Sequence, residues 1–242
     1  MIASARRSTS IKVIRIGIAG AGRMGQAVQR VIQDADGVQV SAVWTRGESL
    51  EAVVANSDVL IDFSLPAATD KVLAVVAEHH LPLVCGVSGL DAAQMEKLRL
   101  SALEIPIVFD RNMSQGISIL SDLVRRAAQS LGPEFLAEIH EVHHVHKIDA
   151  PSGTALQLGE SIEAARAATQ SADAVRYTVE RRGEVPGEHT VTLRSPTEIL
   201  TLGHSVTDRA VFAEGALRAA RWVILQRPGL YRMANVLFPN AE

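Results

Sequence analysis

The sequence contains one cysteine, few aromatic residues and no large excess of either charge. Its 24 basic and 27 acidic residues give a formal net charge of −3 over 242 residues. Because this near balance provides no broad cationic surface, we expect neither a nucleic-acid partner nor a membrane partner. The single cysteine, Cys85, cannot form an intrachain disulfide and lies in the apolar run LPLVCGV. A buried free thiol is typical of a reducing compartment, so we expect a cytoplasmic protein.

Long hydrophobic runs and low-complexity tracts are also absent. The uninterrupted apolar stretches are far shorter than the ~18–20 residues that span a bilayer. Residues 1–10 contain two arginines, and no apolar segment follows them before the first strand-like run. We therefore predict a disordered tail there and not a secretory signal. The remaining composition is typical of a globular protein with one large domain or two small ones.

The first half of the chain alternates strands with helices. Residues 11–18 are rich in β-branched side chains and run into a glycine turn, after which Val28, Val31 and Ile32 recur at helical spacing. Short connections between such elements are typical of a parallel sheet covered on both faces. We therefore expect an α/β fold with a Rossmann-type sheet over residues 11–114. Further strands are predicted at Val38–Trp44, Val59–Phe63, Pro82–Cys85 and Ile105–Phe109, and further helices at Pro66–Glu78 and Asp91–Leu103.

The pattern changes near residue 115. Residues 115–208 indicate an α+β domain with a mostly antiparallel sheet. The final helical segment, Arg209–Gln226, can return to the first domain, so we expect residues 209–242 to complete it. The predicted elements of the second domain are helices at Ile117–Leu131 and Thr154–Ala168, and strands at Phe135–Val145, Val175–Arg182, His189–Arg194 and Ile199–Val206.

The first motif is G-x-G-x-x-G at Gly20–Gly25, between a predicted strand and a predicted helix. This context is typical of a dinucleotide site, in which the turn approaches the pyrophosphate and the helix N-terminus faces its charge. The alternative is a glycine-rich turn without a ligand. No carboxylate ends the second predicted strand, where Thr45 and Arg46 stand. Arg46 is a candidate for the 2′-phosphate of NADPH, or else a solvated surface residue.

Four of the eight histidines fall within residues 140–146. His140 to His144 match H-E-x-x-H, a zinc protease signature that requires a helix. The β-branched neighbours and the following D-A-P-S-G run favour a strand, so we expect no metal site. In a strand, His143 and Lys147 share one face with Glu141, whereas His144 lies on the other face.

A helix N-terminus follows these residues directly. Ser152 or Thr154 can cap this helix, and Gly153 permits close backbone approach. Free N–H groups at such a terminus can bind a carboxylate. The segment therefore predicts a histidine, a lysine and an anion site close together.

The residues from Glu141 to Ala155 resemble the signature E-x-H-H-x-x-K-x-D-A-P-S-G-T-A of the 4-hydroxy-tetrahydrodipicolinate reductase family. The resemblance extends to the G-R-M-G turn and to residues 59–64, 85–89, 111–114 and 209–216. It implies an enzyme of the diaminopimelate route of lysine biosynthesis that reduces 4-hydroxy-tetrahydrodipicolinate, a small dicarboxylate, with NADPH or NADH. It also implies a homotetramer, with residues 115–208 as the substrate-binding and oligomerisation domain.

The resemblance implies roles for individual residues. His143 would donate a proton and Lys147 would be the catalytic cation. Histidine suits the role of a proton donor at neutral pH, because its unperturbed pKa is ~6.5. Substrate contacts would come from His144, Ser152, Gly153 and Thr154. Cofactor contacts would come from Gly20, Ala21, Gly22, Arg23, Met24, Gly86, Val87, Ser88, Asp110, Arg111, Asn112 and Met113, with Arg46 as the candidate for the 2′-phosphate.

Two departures from the family pattern affect these expectations. The glycine turn is one glycine shorter than G-x-G-G-R-M-G, and residues 185–190 lack a stretch that many relatives contain. The second departure predicts an altered tetramer interface. Two other functions stay open at this point: an oxidoreductase acting on another cyclic imine or dicarboxylate, and a dinucleotide-binding sensor without catalysis. The K-x-D-A-P-S-G-T run favours the reductase.

Overall fold

The computed structural model describes residues 13–132, 134–167 and 174–238. The tail predicted at residues 1–10 lies outside these ranges, as does Ala168, the predicted last residue of a helix. The elements in chain order are β1 (Ile14–Ala19), α1 (Arg23–Gln33), β2 (Val38–Trp44), α2 (Leu50–Ala55), β3 (Val59–Asp62), α3 (Pro66–Glu78), β4 (Leu83–Cys85), α4 (Ala92–Ser101), β5 (Pro106–Phe109), α5 (Gln115–Ser130), β6 (Leu136–His143), α6 (Gly153–Ala167), β7 (Arg176–Arg181), β8 (Glu188–Arg194), β9 (Ile199–Ser205), α7 (Ala210–Val223), β10 (Gly229–Tyr231) and α8 (Met233–Leu237).

Six parallel strands form the first sheet in the order β10-β5-β4-β3-β1-β2. Residues of α1, α7 and α8 pack on one face, and residues of α2, α3 and α4 pack on the other. Strands covered on both faces are apolar throughout, and all four residues of β5 are buried. The predicted α/β sheet is confirmed.

Local sequence signals explain where several helices begin. Pro66 occupies the first turn of α3, where its fixed φ suits a helix and its missing N–H is not needed. A reciprocal capping box between Asp91 and Gln94 begins α4. Ser114 caps α5 by accepting from Ile117 N at 3.3 Å.

Four strands form the second sheet in the order β7-β6-β8-β9. The β6–β7 pair is parallel, and the β6–β8 and β8–β9 pairs are antiparallel. Helices α5 and α6 cover one face, where Ile139, Val191 and Leu193 are fully buried. The residues that alternate with these along each strand, such as Thr190 and Thr192, lie on the other face of the sheet, which we call the open face. The prediction of a mostly antiparallel second sheet is confirmed.

The strand predicted over Phe135–Val145 is too long at its C-terminal end. β6 stops at His143, and a turn follows in which Lys147 N donates to His144 O at 3.1 Å. The predicted alternation of faces therefore ends at His143. None of the helices in the described ranges has the length and apolar character needed to cross a bilayer.

Candidate active site

The glycine turn connects β1 to α1 at the carboxyl edge of the first sheet. Gly20 has φ +100°, a backbone conformation that favours glycine. A Cβ on Gly25 would lie 1.9 Å from Gly20 O, so only glycine lets α1 start this close to the turn. No side chain caps α1 at Gly22. The first N–H groups of this helix are therefore available to an anion.

A cavity of about 900 Å³ lies beside this turn, and we call it the glycine-turn cavity. Its walls come from the loops after β1, β2 and β3. Ligands of open parallel sheets bind at this edge, where successive connections pass to opposite faces. The cavity and the free helix N-terminus fit a pyridine dinucleotide. Its lining includes Gly20, Ala21, Gly22, Thr45, Arg46, Glu48, Phe63, Ser64 and Lys71.

The expectation that no carboxylate lies at the end of β2 is wrong for the folded chain. The sequence places no carboxylate directly at the end of β2, but the chain turns after Trp44 and brings Glu48 back. Glu48 Oε2 accepts from Thr45 N and from Thr45 Oγ1, both at 2.8 Å. A carboxylate therefore lies at the end of β2 after all, because the turn between Thr45 and Glu48 reverses the chain.

A second cavity, of about 440 Å³, lies between the two sheets, and we call it the central cavity. It brings together most of the residues that the sequence predicts to bind cofactor with those predicted to carry the chemistry. The cofactor candidates in its lining are Arg23, Met24, Gly86, Ser88, Arg111, Asn112 and Met113, and the others are His143, His144, Lys147 and Thr154.

Two cofactor candidates do not line either of these cavities. Val87 is buried in the core under α2, α3 and α4. The Asp110 carboxylate turns away from the cavities and accepts from Gln157 Nε2 and Met233 N, each at 3.2 Å. Asp110 therefore ties the loop after β5 to α6 and α8.

A third cavity, of about 740 Å³, lies beside the N-terminus of α6, and we call it the α6 cavity. It shares His143, Lys147 and Thr154 with the central cavity, so the two are continuous around these side chains. Asp149, Ser152 and Gly153 also line it. The residues predicted to contact substrate thus surround one connected space.

His143 is the last residue of β6 and is held from behind by Glu141. Both side chains point to the helix-covered face, and Glu141 is only 1% exposed. His143 Nδ1 lies 2.5 Å from Glu141 Oε2. Glu141 Oε1 accepts from Ser152 N at 3.1 Å and from both terminal nitrogens of Arg181 at 3.2 Å. The carboxylate thus lies against Nδ1, so Nε2 is the ring nitrogen that remains for chemistry, and His143 lines both cavities.

The proton affinities of this pair follow from their surroundings. Burial lowers the pKa of His143 below its usual value, although the Glu141 carboxylate opposes this effect. Burial raises the pKa of Glu141, but hydrogen bonding by Ser152 and the charges of His143 and Arg181 lower it overall. The pair therefore keeps a charged carboxylate beneath a histidine that releases its proton readily.

His189 lies against this pair on the neighbouring strand β8. Its ring contacts the His143 ring edge to face, with centroids 5.1 Å apart, and its Nε2 lies 3.2 Å from Ser152 Oγ. Burial lowers the pKa of His189 to about 4, so the ring is neutral at physiological pH. Ser152 Oγ also accepts from Ala155 N at 3.1 Å and thereby caps α6. The Ser152 hydroxyl is therefore used inside the protein.

Lys147 and the N-terminus of α6 form the anion-binding part of the site. Lys147 Nζ lies 2.7 Å from Asp149 Oδ1. Burial raises the pKa of Asp149, but Lys147 and the Gly153 N–H lower it overall. A carboxylate of the chain itself is thus paired with Lys147 beside the first turn of α6. Thr154 Oγ1 accepts from Asn112 Nδ2 at 3.0 Å, which links α6 to the loop after β5.

The histidine cluster divides between two faces of the sheet. His140 lies on the open face, where its Nδ1 is 3.0 Å from Thr178 Oγ1, whereas the turn after β6 brings His144 into the central cavity. The H-E-x-x-H interpretation is therefore wrong, because a strand separates the two histidines that must share one metal. Atoms of Glu141, His143 and His189 do lie within 4.8 Å of one another, as metal ligands would.

Several lining residues were given no role by the sequence. Phe63 lines both the glycine-turn cavity and the central cavity, and Arg209 and Phe212 line the central cavity from the start of α7. Position alone could have indicated Phe63, because it directly follows a buried parallel strand. Arg181 reaches Glu141 only because β7 pairs with β6 in a register that no sequence pattern announces.

Comparison with known proteins agrees with this arrangement. The family model for the N-terminus of dihydrodipicolinate reductase matches residues 14–113, and the model for its C-terminus matches residues 116–237. The 4-hydroxy-tetrahydrodipicolinate reductase of Xanthomonas campestris pv. campestris (strain B100) is 41% identical over 239 residues, covering 93% of this chain and 98% of the relative. The protein of the same name from Pseudoalteromonas translucida (strain TAC 125) is 38% identical over 260 residues, covering 92% and 97%.

A solved structure shows the same fold. The dipicolinate-bound dihydrodipicolinate reductase from Paenisporosarcina sp. TG-14 matches with a TM-score of 0.78 at 19% identity, covering 91% of this chain and 97% of that chain. The alignment with the Pseudoalteromonas protein spans 260 positions, more than the 242 residues present here, so that relative has segments that this chain lacks. The resemblance seen in the sequence is confirmed. The chain belongs to the dihydrodipicolinate reductase family and is an oxidoreductase of that family.

Proposed function

We propose that this protein reduces 4-hydroxy-tetrahydrodipicolinate to tetrahydrodipicolinate with NADH or NADPH, in the cytoplasm, as a step of the diaminopimelate route of lysine biosynthesis. One observation carries the proposal. His143, Lys147 and the α6 N-terminus meet the residues that follow β4 and β5 around one connected space. Residues 11–114 with 209–242 would then bind the nucleotide, and residues 115–208 would bind the substrate.

A bound pyridine dinucleotide would be held by residues of both the glycine-turn cavity and the central cavity. When bound, its reduced nicotinamide supplies the hydride. Gly20, Ala21, Gly22, Arg23 and Met24 hold the pyrophosphate against the first turn of α1. Phe63 borders both cavities and so stands between the two halves of the nucleotide. The loops after β4 and β5 would flank the nicotinamide end through Gly86, Ser88, Arg111, Asn112 and Met113, which line the central cavity. Val87 and Asp110 would support these loops from within the protein.

The substrate lies between the nicotinamide end and α6. One substrate carboxylate takes the place of the Asp149 carboxylate, on Lys147 Nζ and the N–H groups of Gly153 and Thr154. The dipicolinate bound to the Paenisporosarcina enzyme is a dicarboxylate of this kind. His144 extends the contact from the central cavity. Ser152 supports the site from within, through its cap of α6.

His143 supplies the proton. Loss of the 4-hydroxyl group of the substrate as water would give a conjugated imine. Hydride from the reduced nucleotide would then add to the carbon that carried the hydroxyl group, and the enamine formed would have to accept a proton at the neighbouring ring carbon. His143 Nε2 donates it, because Nδ1 is held against Glu141. Lys147 offsets negative charge on the substrate during the same step. Burial lowers the pKa of His143, and this makes the ring a stronger acid than free histidine.

The experiment compares two histidines on the same strand. His143→Gln should lower kcat by ~10²–10⁴, the usual loss of a general acid, with nucleotide affinity retained. His140→Gln is the matched control, since His140 lies on the open face, and it should keep full activity. The assay follows oxidation of the reduced nucleotide with freshly generated substrate. A His143→Gln variant with wild-type kcat would contradict the proposal.

We further propose that the protein assembles as a homotetramer through the open face of the second sheet. No helix in the described part of the chain packs over that face, and Leu136 and Ile199 are each about half exposed there, at 53% and 51%. They flank Arg194 in one row of paired residues. Light scattering after gel filtration should give four times the chain mass, and Ile199→Glu should lower it. A wild-type monomer would refute this assembly.

A further inference from the structure

Two side-chain hydrogen bonds join the loop after β5 to helix α6. Asn112 Nδ2 donates to Thr154 Oγ1 at 3.0 Å, and Gln157 Nε2 donates to Asp110 Oδ1 at 3.2 Å. The loop follows a strand of the first sheet and carries residues that line the central cavity. Helix α6 packs on the second sheet and begins at the anion-binding part of the site. The two hydrogen bonds therefore connect the two halves of the proposed active site.

The two contacts lie one helical turn apart on the same face of α6. Residues three apart on a helix are neighbours on its surface, about 4.5 Å apart along the axis. A single contact at Thr154 would leave α6 free to pivot, whereas a second contact at Gln157 also sets the direction of the helix. That direction decides where the N–H groups of Gly153 and Thr154 point. Gln157 thus controls how the anion-binding part faces the loop after β5.

Each of the two joined segments also has supports of its own. Asp110 Oδ2 accepts from Met233 N at 3.2 Å, which holds the loop to α8. Ser152 caps α6, and its N–H donates to Glu141 Oε1 at 3.1 Å, which holds the helix start to β6. Loss of the Gln157 contact would therefore leave both binding regions in place and change how they face one another.

The Gln157 side chain is poorly suited to stability alone. Among the described residues its Nε2 donates to Asp110 alone, and its buried Oε1 has no hydrogen-bond partner. A buried acceptor without a partner costs free energy that an apolar side chain would avoid. A further contact between this loop and α6, the exposed pair of Arg111 and Glu160, is 3.5 Å long and contributes little. The direction of α6 therefore depends on the Gln157 amide.

We infer that Gln157 is a positioning residue for hydride transfer. Through Asp110 it holds α6 at the angle that brings the bound substrate to the nicotinamide end of the nucleotide. Hydride transfer requires the two reacting carbons to lie about 3–3.5 Å apart. A small rotation of α6 lengthens this distance while each ligand still binds. The inference rests on the proposed function, because it requires a substrate held by α6 and a nucleotide held by the loop after β5.

Gln157→Leu tests this role, because leucine has a similar size and cannot donate to Asp110. We expect kcat to fall about 10–10²-fold, with KM for the substrate and nucleotide affinity by calorimetry within about twofold of wild type. The primary isotope effect on kcat, measured with nucleotide deuterated at the transferred position, should be at least as large as in wild type, because hydride transfer limits the variant. Combining Asp110→Asn with Gln157→Glu exchanges donor and acceptor. This pair should recover most of the activity, since the new amide can donate to the new carboxylate and still accept from Met233 N.

Ser161→Ala is the matched control. Ser161 Oγ also gives α6 a side-chain contact, at 3.0 Å from Ser121 Oγ, but its partner lies on α5, which covers the same sheet. This variant should keep wild-type kcat. A Gln157→Leu variant with wild-type kcat, a loss explained by weaker binding of either ligand, a smaller isotope effect, or no recovery in the exchanged pair would refute the inference. A wild-type protein that does not reduce the substrate would instead refute the proposed function, and this inference with it.

Discussion

Replacing Glu141 with glutamine removes the charge that opposes the effect of burial on His143. The two side chains touch, with 2.5 Å between His143 Nδ1 and Glu141 Oε2, and Glu141 is 1% exposed. Glutamine keeps the shape and can still accept from Ser152 N. The substitution therefore changes the charge below the ring more than it changes the packing around it.

The size of the effect follows from the geometry. An adjacent buried charge changes the free energy of protonation of a neighbouring group by about 1.4–4 kcal/mol. Its loss lowers the pKa of His143 further, so a smaller fraction of the ring carries the proton at pH 7. Each 1.36 kcal/mol is a factor of ten in rate. We expect kcat/KM at neutral pH to fall about 10–10³-fold.

The pH dependence separates this effect from simple damage. A proton donor loses activity as the pH rises through its pKa, and a lower pKa moves that loss to lower pH. Glu141→Gln should therefore approach wild-type activity at the acid end of the range and differ most at neutral and alkaline pH. Glu138→Gln, on the open face of the same strand, is the control. A loss of equal size at every pH, or an unchanged profile, would refute the reasoning.

Three further predictions concern the same site. Lys147→Ala should lower kcat by about 10²–10³ with nucleotide affinity unchanged by calorimetry, because it removes charge that acts on the substrate; a wild-type kcat would contradict this. His189, with its pKa lowered to about 4 by burial, binds a proton in the unfolded chain before it does so in the folded protein. Its contribution to stability is therefore lost as the pH falls from about 6.5 towards 4, by about 2 kcal/mol between pH 7 and pH 5. Urea unfolding should show that His189→Gln loses less stability between pH 7 and pH 5 than the wild-type protein does. An identical loss of stability in the two proteins would contradict this prediction. Prolonged EDTA treatment should leave reductase activity intact, since Glu141 is already bound by Arg181 and His143 acts as an acid; one equivalent of zinc with chelator-sensitive activity would reverse that assignment.

Patterns within single elements allowed much of the fold to be predicted. The bounds of β2 and α3 agree with their predictions residue for residue, because β-branched runs and an N-terminal proline mark them. The short elements α2, β10 and α8 went unpredicted, since three to six residues carry too little periodicity. Packing against the first sheet stabilises α2 and α8, and pairing with β5 stabilises β10.

The sequence predicted the site residues that lie in one continuous segment. It did not predict those that reach the site through a chain reversal or through strand pairing. Residues 141–154 contain a strand end, a turn and a helix start, so His143, Lys147 and Thr154 could be placed together from the sequence. Glu48 and Arg181 could not, because one depends on the reversal after Trp44 and the other on the register between β6 and β7. Local alternation also put His144 on the wrong face, because the turn after β6 was not foreseen.

The return of α7 to the first sheet affects the order in which the protein folds. The apolar side of the sheet beside α1 is covered by α7 and α8, and Arg221 Nη2 donates to Asp36 O across 185 residues of sequence. During synthesis this side stays uncovered until α7 and α8 have left the ribosome. The strands and helices of the second sheet all precede α7 in the sequence. The residues of the second core are therefore synthesised before the residues that complete the core of the first sheet. Contacts between residues so far apart in the sequence favour slow folding of the domain that contains the first sheet.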